Sequence, residues 1–335
     1  MKKRLMAGLL ISALCMSLTA CSGNSTAESD TSGSDKAEDQ KSYSISVILK
    51  TTASEYWGYV KAGVDAYAKD HPEHNISAKG PSSETAYDEQ QNMIETDLNS
   101  GAYDAFVISP LQPDLVKTLI SGQTAPIIAL DSKIEAPEVR SFVGTGNESA
   151  AAQGGAQAVE AAKAAGWTDI KAIAISGVQG DSTCIDRMNG FQKGVESAGG
   201  TFLADEIQYG DAVADKAANC MEAIIQNHPE GVAIIIGAND DMAMAAARAA
   251  EGHEAYANTI FIGFDGTQSG CNAILSGQLT LSVAQQAYDM GYMAVEAAVD
   301  TLNGKELDSF IDSGCEVVDK SNAQARVDQL KGYLE

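Results

Sequence analysis

The chain has 335 residues, 44% of them apolar and 20% charged, so it can bury the cores of two ordinary domains and is not disordered overall. Its formal net charge of −24 repels nucleic acid and anionic lipid headgroups, which argues against a DNA- or RNA-binding protein. No CxxC or Cys/His cluster, nucleophile motif or phosphate loop occurs, so we expect no metal, no cofactor and no enzyme.

The first twenty residues have the pattern of a secretion signal. Three basic residues at positions 2–4 precede an apolar stretch, 5–18, that is too short to span a bilayer comfortably. The stretch ends in Leu-Thr-Ala before Cys21, which resembles the lipobox of bacterial lipoproteins. We therefore predict a lipoprotein signal peptide over residues 1–20 and a lipid anchor on Cys21, which implies an extracytoplasmic, membrane-anchored protein. The alternative is an ordinary signal peptide followed by an unmodified cysteine.

Residues 21–42 are predicted to be a disordered tether. Between positions 22 and 41 the composition is dominated by Ser, Asp, Glu, Gly and Thr, and alanine is the only apolar residue type. Such a segment cannot bury enough surface to offset its chain entropy. We expect it to hold the folded part away from the membrane.

From residue 43 onward, short apolar runs alternate with helix-length segments, twice over. The first series has predicted strands at 44–49, 75–79, 105–109, 126–130 and 141–143, with helices at 56–70, 87–100 and 112–121. The second series begins with a helix at 148–165. Its strands are predicted at 171–175, 202–209, 232–236, 259–264 and 279–283, with helices at 186–198, 215–227, 243–251 and 288–302. This alternation predicts an α/β protein with two doubly wound, parallel-sheet (Rossmann-like) lobes.

Polar side chains follow several of the predicted strands at the point where each strand ends. In open parallel sheets, ligands bind beyond these carboxyl ends. Asn239 and Asp240 precede a helix as well, and we expect Asp240 to cap it. The residues that form this strand-end set are Lys50, Asp131, Asn239, Asp265 and Gln285.

The chemistry of this set suits a sugar. Carboxylates and amides bind adjacent hydroxyls in pairs, and an ionised acceptor makes these bonds stronger. Tyr56 or Trp57 could lie against the apolar face of a sugar ring, and Arg187 adds a rigid fork of donors. Each residue also has a structural interpretation: Asp131 could form a turn, Trp57 could belong to the core and Arg187 could form a surface ion pair.

Four sequence motifs resemble the sugar-binding proteins of bacterial ABC importers. They are NDDMA at 239–243, GFDGT at 263–267, AQQ at 284–286 and RMNGF at 187–191. The resemblance is to the ribose-binding branch of the type I periplasmic binding proteins, and it runs from about residue 45 to residue 318.

The resemblance implies roles and a domain organisation. It implies that Tyr56 and Trp57 form an aromatic pair on one side of the ring, and that Ser54 stands where ribose binders use an asparagine. It implies hydroxyl-binding roles for Asp131, Arg187, Asn239, Asp265 and Gln285. It also implies a hinge of three segments near 145–147, 285–286 and 313–314. The resulting lobes are 43–146 plus 286–313 and 147–285 plus 314–335.

Two positions depart from the ribose-binding pattern. Ribose binders have an arginine where this chain has Ser132, and a small hydroxyl residue where it has Lys50. Lysine and Asp-Ser at these strand ends resemble autoinducer-2 and rhamnose-type receptors, which do not usually share Arg187 or the Phe264-Asp265-Gly266 pattern. Lys50 and Ser132 are therefore included among the predicted ligand-binding residues, and a pentose, a hexose, a polyol or a furanosyl signal all stay open.

The resemblance implies hinge closure around a small sugar-like ligand, followed by delivery to an ABC permease in the membrane. We expect a monomer. The alternative function is a sugar or autoinducer-2 sensor that signals its closed state to a membrane receptor kinase. Both functions use the same closed form, so the sequence barely separates them.

Four cysteines remain in the folded part, at positions 184, 220, 271 and 315. A disulfide is permitted outside the cytoplasm, and four cysteines allow three pairings. Unpaired, buried thiols are an equal alternative.

Overall fold

The computed structural model describes residues 41–334. The predicted signal peptide, the predicted lipidation site Cys21 and nearly all of the predicted tether lie outside the described residues. Between residues 41 and 334, no helix combines the length and the apolar character needed to cross a bilayer.

The first lobe is built on a sheet whose strands are all parallel. Its central strands are apolar without alternation, as in Ala105-Phe106-Val107-Ile108, because helices cover both faces. The strands are β1 (Ser44–Ile48), β2 (Asn75–Lys79), β3 (Ala105–Ile108), β4 (Ile127–Leu130), β5 (Val139–Gly144) and β12 (Phe310–Asp312). Their order in the sheet is β12-β5-β4-β3-β1-β2.

Two pairs of helices cover the two faces of this sheet. One face carries α1 (Glu55–Asp70) and α9 (Ala287–Leu302), and the other carries α2 (Tyr87–Ser100) and α3 (Pro113–Leu119). α1 and α9 touch through their backbones: a Cβ on Gly63 would lie 1.9 Å from the carbonyl oxygen of Tyr288. This close packing holds α1 against α9, and the first turn of α1 carries Tyr56 and Trp57.

The second lobe has a mixed sheet in which β13 alone, among the described strands, is antiparallel. The strands are β6 (Lys171–Ser176), β7 (Thr201–Phe202), β8 (Gln208–Tyr209), β9 (Ile234–Gly237), β10 (Ile260–Asp265), β11 (Leu281–Gln285) and β13 (Cys315–Val318). Their order is β13-β11-β10-β9-β6-β7, with β8 also paired to β6. The helices of this lobe are α4 (Asn147–Ala164), α5 (Ser182–Ser197), α6 (Ala214–Asn227), α7 (Asp240–Ala249), α8 (Gln268–Ser276) and α10 (Ala323–Leu334).

The chain crosses between the two sheets at three places. It leaves the first sheet after β5, returns to it after β11, and crosses again between β12 and β13. The two-lobed α/β fold with a three-segment hinge, predicted from the sequence, is therefore confirmed. The last helix, α10, packs on α8 and also reaches the first lobe, where Tyr333 stacks on Tyr288 with ring centroids 4.1 Å apart.

One predicted strand is wrong. The stretch 202–209 does not form a continuous strand, because a 3₁₀ turn at Ala204–Glu206 separates β7 from β8. The turn contains two adjacent acidic residues, Asp205 and Glu206, and in a continuous strand one of the two carboxylates would point to the buried face.

The cysteines of the described region, Cys184, Cys220, Cys271 and Cys315, are free thiols. The pairing question that the sequence leaves open is thus answered in favour of unpaired cysteines for this structure. Cys271 is buried in the second lobe, whereas the other three are partly exposed.

Candidate functional site

The carboxyl ends of the two sheets face each other across a cleft that encloses a small cavity. The cavity has a volume of about 60 Å³, enough for a few water molecules. Both lobes supply its walls. Eight of the ten residues predicted as ligand-binding line it: Lys50, Tyr56, Trp57, Asp131, Arg187, Asn239, Asp265 and Gln285.

Ser54 and Ser132, the other two predicted residues, do not line the cavity. Ser54 caps α1, where its hydroxyl accepts a hydrogen bond from the Trp57 amide. Ser132 is fully buried, and its hydroxyl donates to Asp131 Oδ2 at 3.2 Å. Both serines therefore support a neighbouring cavity residue, and their contact with a ligand stays a prediction.

The two strand-end aspartates, Asp131 and Asp265, share an unusual backbone conformation. Their φ angles are +63° and +114°, in a region that residues with a Cβ rarely adopt. Both side chains are almost fully buried in the cavity wall. Backbone strain of this kind persists only where the surroundings enforce it, and it is concentrated at functional sites.

Lys50, at the end of β1, forms an ion pair across the cleft. Its Nζ lies 3.0 Å from Asp181 Oδ2 in the second lobe and 3.5 Å from Asp131 Oδ2 in its own lobe. Burial by itself would lower the pKa of Lys50, but the two carboxylates raise it above its ordinary value. The same pairing outweighs the effect of burial on Asp181, whose pKa is lowered. This part of the cavity therefore stays charged.

Arg187, in the second turn of α5, is held in place by several contacts. Its Nε donates to Asn147 Oδ1 at 2.8 Å, and its Nη1 donates to the carbonyl of Ala238 at 2.7 Å. The guanidinium lies 3.8 Å from the centre of the Phe264 ring, and Nη1 is 3.7 Å from Asp265 Oδ1. Arg187 is thus a buried cavity residue and not a surface ion-pair partner.

Asp265 and Gln285 form a hydrogen-bonded pair on adjacent strands. Gln285 Nε2 donates to Asp265 Oδ1 at 2.8 Å. Gln285 Oε1 is buried and receives no hydrogen bond from the described residues. Burial raises the pKa of Asp265 well above its usual range, because Arg187 offsets the loss of solvent only in part. The pair offers both donors and acceptors at one end of the cavity.

The expected helix cap after β9 is wrong. Asn239, not Asp240, caps α7: its Oδ1 accepts from the Met242 amide at 2.8 Å. Asp240 turns into the protein and is fully buried. The side-chain oxygen of Asn239 is used by this cap, so its amide nitrogen is the group that can donate to a ligand.

The aromatic residues line the cavity edge to face. The rings of Tyr56 and Trp57 have centroids 5.3 Å apart and an interplanar angle of 85°, so they do not form one flat platform. The Tyr56 hydroxyl donates to Asp131 Oδ1 at 2.9 Å, and Trp57 Nε1 donates to Glu84 Oε1 at 2.9 Å. Both rings therefore have fixed orientations.

Two acidic cavity residues escaped the sequence analysis. Asp181 caps α5 and follows β6, so its strand-end position was a signal that could have identified it. Glu84 lies in the loop after β2, where no periodicity distinguishes it from its neighbours. Burial raises the pKa of Glu84, although Lys50 acts in the opposite direction. The further lining residues include Leu111, Thr183, Cys184 and Met242.

A larger groove lies beside the hinge. Its volume is about 720 Å³, and Lys133, Phe142 and Phe310 are among its lining residues. None of the strand-end residues reaches it. The enclosed cavity is therefore the better candidate site, because buried polar groups from both lobes converge there.

Curated relatives of the chain are sugar-binding proteins by name. It is 27% identical over 283 residues to the ribose import binding protein RbsB of Bacillus subtilis (strain 168), covering 81% of this chain and 86% of the relative. It is 24% identical over 298 residues to the D-ribose/D-allose-binding protein of Pseudomonas aeruginosa, covering 84% of this chain and 90% of the relative.

Solved structures share the fold over most of the chain. A solute-binding protein from Agrobacterium vitis with bound D-fucose is 28% identical with a TM-score of 0.73, covering 83% of this chain and 96% of that one. One from Agrobacterium radiobacter in complex with D-arabinose is 26% identical with a TM-score of 0.74, covering 87% and 99%. Residues 45–306 match the family model described as the periplasmic binding protein domain. The chain therefore belongs to the periplasmic binding protein family and has the type I fold of its ribose-binding branch.

Proposed function

We propose that this protein is the extracytoplasmic binding component of an ABC importer and that it captures a monosaccharide in the cleft. One observation carries the proposal: eight polar and aromatic residues that are distant in sequence, from both lobes, line a single buried cavity. The relatives named for ribose and for ribose/allose binding support the ligand class. Both names refer to binding, and that of the Bacillus subtilis protein also refers to import, which gives the sensor alternative no support.

The arrangement of the cavity suits a compact ring with several hydroxyls. Asp131, Asp265 and Gln285 supply acceptors, and Arg187 and Asn239 supply donors, so adjacent hydroxyls can be bound in pairs. Tyr56 and Trp57 supply apolar surface for the C–H face of the ring.

Binding is coupled to closure because the site is shared between the lobes. A sugar that contacts both lobes binds the closed form more tightly than the open one and shifts the population towards it. In the closed form Lys50 reaches Asp181, which adds an attraction between the lobes. A permease can then recognise a surface that only the closed arrangement presents. The sugar is released chemically unchanged, and the protein acts as a monomer.

The proposed location follows from the family together with the N-terminal sequence. Periplasmic binding proteins act outside the cytoplasm. We add the proposal that Cys21 carries the lipid that retains this one at the membrane. Metabolic labelling with radioactive palmitate tests it: the wild type should incorporate label, and Cys21→Ser should not. Equal labelling of both proteins would disprove the anchor.

Calorimetric titration of the protein lacking residues 1–40 tests the binding function. The panel is D-ribose, D-allose, D-arabinose and D-fucose, with glycerol as a small polyol. At least one sugar should bind, and Asp265→Ala should weaken that binding at least tenfold, about 1.4 kcal/mol. Asp205→Ala, in the exposed 3₁₀ turn, is the control and should bind normally. No heat of binding with any member, or full affinity of Asp265→Ala, would contradict the proposal.

A further inference from the structure

Asp240 is fully buried just behind the cavity, which it does not line. Its carboxylate receives three hydrogen bonds. Oδ1 accepts from Ser282 Oγ at 2.6 Å, and Oδ2 accepts from the amide and the hydroxyl of Thr267 at 2.8 and 2.9 Å. Because Asp240 does not line the cavity, it has no part in the sugar contacts proposed above. Its burial therefore calls for another explanation.

These hydrogen bonds converge on the turn that presents Asp265. Ser282 Oγ, while donating to Asp240, accepts from the Gly266 amide at 3.1 Å. Two consecutive amides after Asp265, those of Gly266 and Thr267, are therefore tied to Asp240, one directly and one through Ser282. On the other side of the turn, Arg326 Nε donates to the Gly266 carbonyl at 3.3 Å.

The space around Asp240 is built for its carboxylate. A Cβ on Gly263 would lie 2.2 Å from Asp240 Oδ1, and one on Gly270 would lie 2.3 Å from Oδ2. Glycine at both positions lets strand β10 and helix α8 approach the carboxylate. The Asp240 carboxylate is therefore held by close packing against these two glycines as well as by its hydrogen bonds.

The turn needs such support because it is strained. The φ angle of Asp265 is +114°, a conformation that is unfavourable for a residue with a Cβ. Without a restraint on the following amides, the backbone would relax and the Asp265 carboxylate would leave its place beside Gln285 and Arg187. We infer that Asp240 is a positioning residue for sugar binding, which acts through Ser282 and Thr267 to hold Asp265 in its strained, cavity-facing conformation. This inference rests on the proposed function of the cleft.

The first experiment needs no sugar and therefore separates this inference from the proposed function. Amide hydrogen exchange of Gly266 and Thr267 is measured in the wild type, Ser282→Ala, Asp240→Ala and Asp240→Asn. Exchange at Gly266 should accelerate at least tenfold in Ser282→Ala, and at both amides in Asp240→Ala. Asp240→Asn, which keeps an acceptor for Thr267, should restore protection there. A crystal structure of Ser282→Ala should show that the φ angle of Asp265 has relaxed.

The second experiment uses the calorimetric sugar panel with a matched control from the other lobe. Ser46, also fully buried on a strand, donates to the buried Asp97 at 2.5 Å and lies outside the cavity lining. Ser282→Ala should lower the affinity for the bound sugar at least tenfold, whereas Ser46→Ala should lower thermal stability and leave affinity within about twofold. Unchanged exchange and an unchanged Asp265 φ in Ser282→Ala, or an equal affinity loss in Ser46→Ala, would overturn the inference. If the wild type binds no sugar of the panel, the hydrogen-exchange data and the crystal structure alone decide whether Asp240 positions Asp265.

Discussion

Lys50 and Asp181 form a buried ion pair although they belong to different lobes and are 131 positions apart in the sequence. The pair closes one side of the cavity, with Asp131 as a second carboxylate 3.5 Å from the same ammonium group. A buried charge that loses its partner is strongly unfavourable, so this contact favours the arrangement in which the lobes meet.

Removing the charge of Lys50 should therefore weaken sugar binding. In Lys50→Met the buried carboxylates of Asp131 and Asp181 lose their common cation and repel each other across the closing cleft. We expect the affinity for the sugar found in the panel to fall at least tenfold, about 1.4 kcal/mol, by calorimetry.

The matched control is Lys133→Met. Lys133 also pairs across the cleft, with Asp186 at 2.9 Å, but this pair is partly exposed, with 42% and 27% of the two side chains accessible. Exposed ion pairs contribute little, so the affinity should change less than about threefold. Equal losses of sugar affinity in the two variants would show that burial of the Lys50 ion pair does not strengthen sugar binding.

Asn239 allows its two roles to be separated. Its oxygen caps α7, and the residue also lines the cavity, where its amide nitrogen is the group that can donate to a sugar. Asn239→Ser keeps a good capping group and removes the amide donor, so the midpoint of thermal unfolding should stay near that of the wild type while sugar affinity falls at least fivefold. Asn239→Ala should lose both affinity and about 1 kcal/mol of stability. Wild-type affinity in Asn239→Ser would remove this residue from the site.

The titration of Asp240 should be visible in stability. Burial raises the pKa of Asp240 to about 6, and the hydrogen bonds from Ser282 and Thr267 oppose that rise only in part. Because this value exceeds the unfolded pKa of about 3.9, the folded state binds more protons between these limits. The contribution of Asp240 to the free energy of unfolding is therefore present at low pH and lost as pH rises through about 6.

The Asp240→Asn variant has no such ionisation. Its free energy of unfolding relative to the wild type should rise between about pH 4 and pH 7, by on the order of 2 kcal/mol. Asp241, Asp265 and Cys271 face Asp240 and are kept in both proteins. In Asp240→Asn the Asp265 carboxylate also loses the repulsion of the Asp240 carboxylate, and this loss favours the variant at higher pH in the same way. Urea unfolding at several pH values measures the difference, and a difference that is flat with pH would contradict the prediction.

Cys184 should report on occupancy of the cavity. It lines the cavity as a free thiol, and burial together with Asp181 raises its pKa to about 11, so its alkylation should be slow. A saturating concentration of the bound sugar should slow its alkylation by iodoacetamide at least fivefold, as followed by mass spectrometry. Cys220, a free thiol in the same lobe outside the cavity lining, is the internal control. A similar slowing at Cys220 would mean that the sugar does not shield Cys184 locally.

The strand ends were predictable because of how parallel sheets are built. Asp131, Asp265 and Gln285 each lie at the end of a largely apolar strand, and within each βαβ series the carboxyl ends of the strands share one edge of that sheet. Glu84 could not be found in this way, because it lies in an irregular loop, and only tertiary packing brings it into the cavity lining, where it accepts a hydrogen bond from Trp57 Nε1. The choice between Asn239 and Asp240 as helix cap was equally hidden, since both residue types cap helices well.

The sequence by itself determined the two α/β lobes and most of the polar groups at the cleft, because apolar periodicity is a local pattern, and its resemblance to the ribose-binding branch implied the three crossings between the lobes. Only the tertiary structure decided which partners these groups have. The pairing of Lys50 with Asp181 and the burial of Asp240 behind Asp265 depend on how one lobe or element faces another, and no local pattern encodes that geometry. The physical reason is that a charge is stabilised by whatever lies within a few ångströms of it in space, wherever that group lies along the chain.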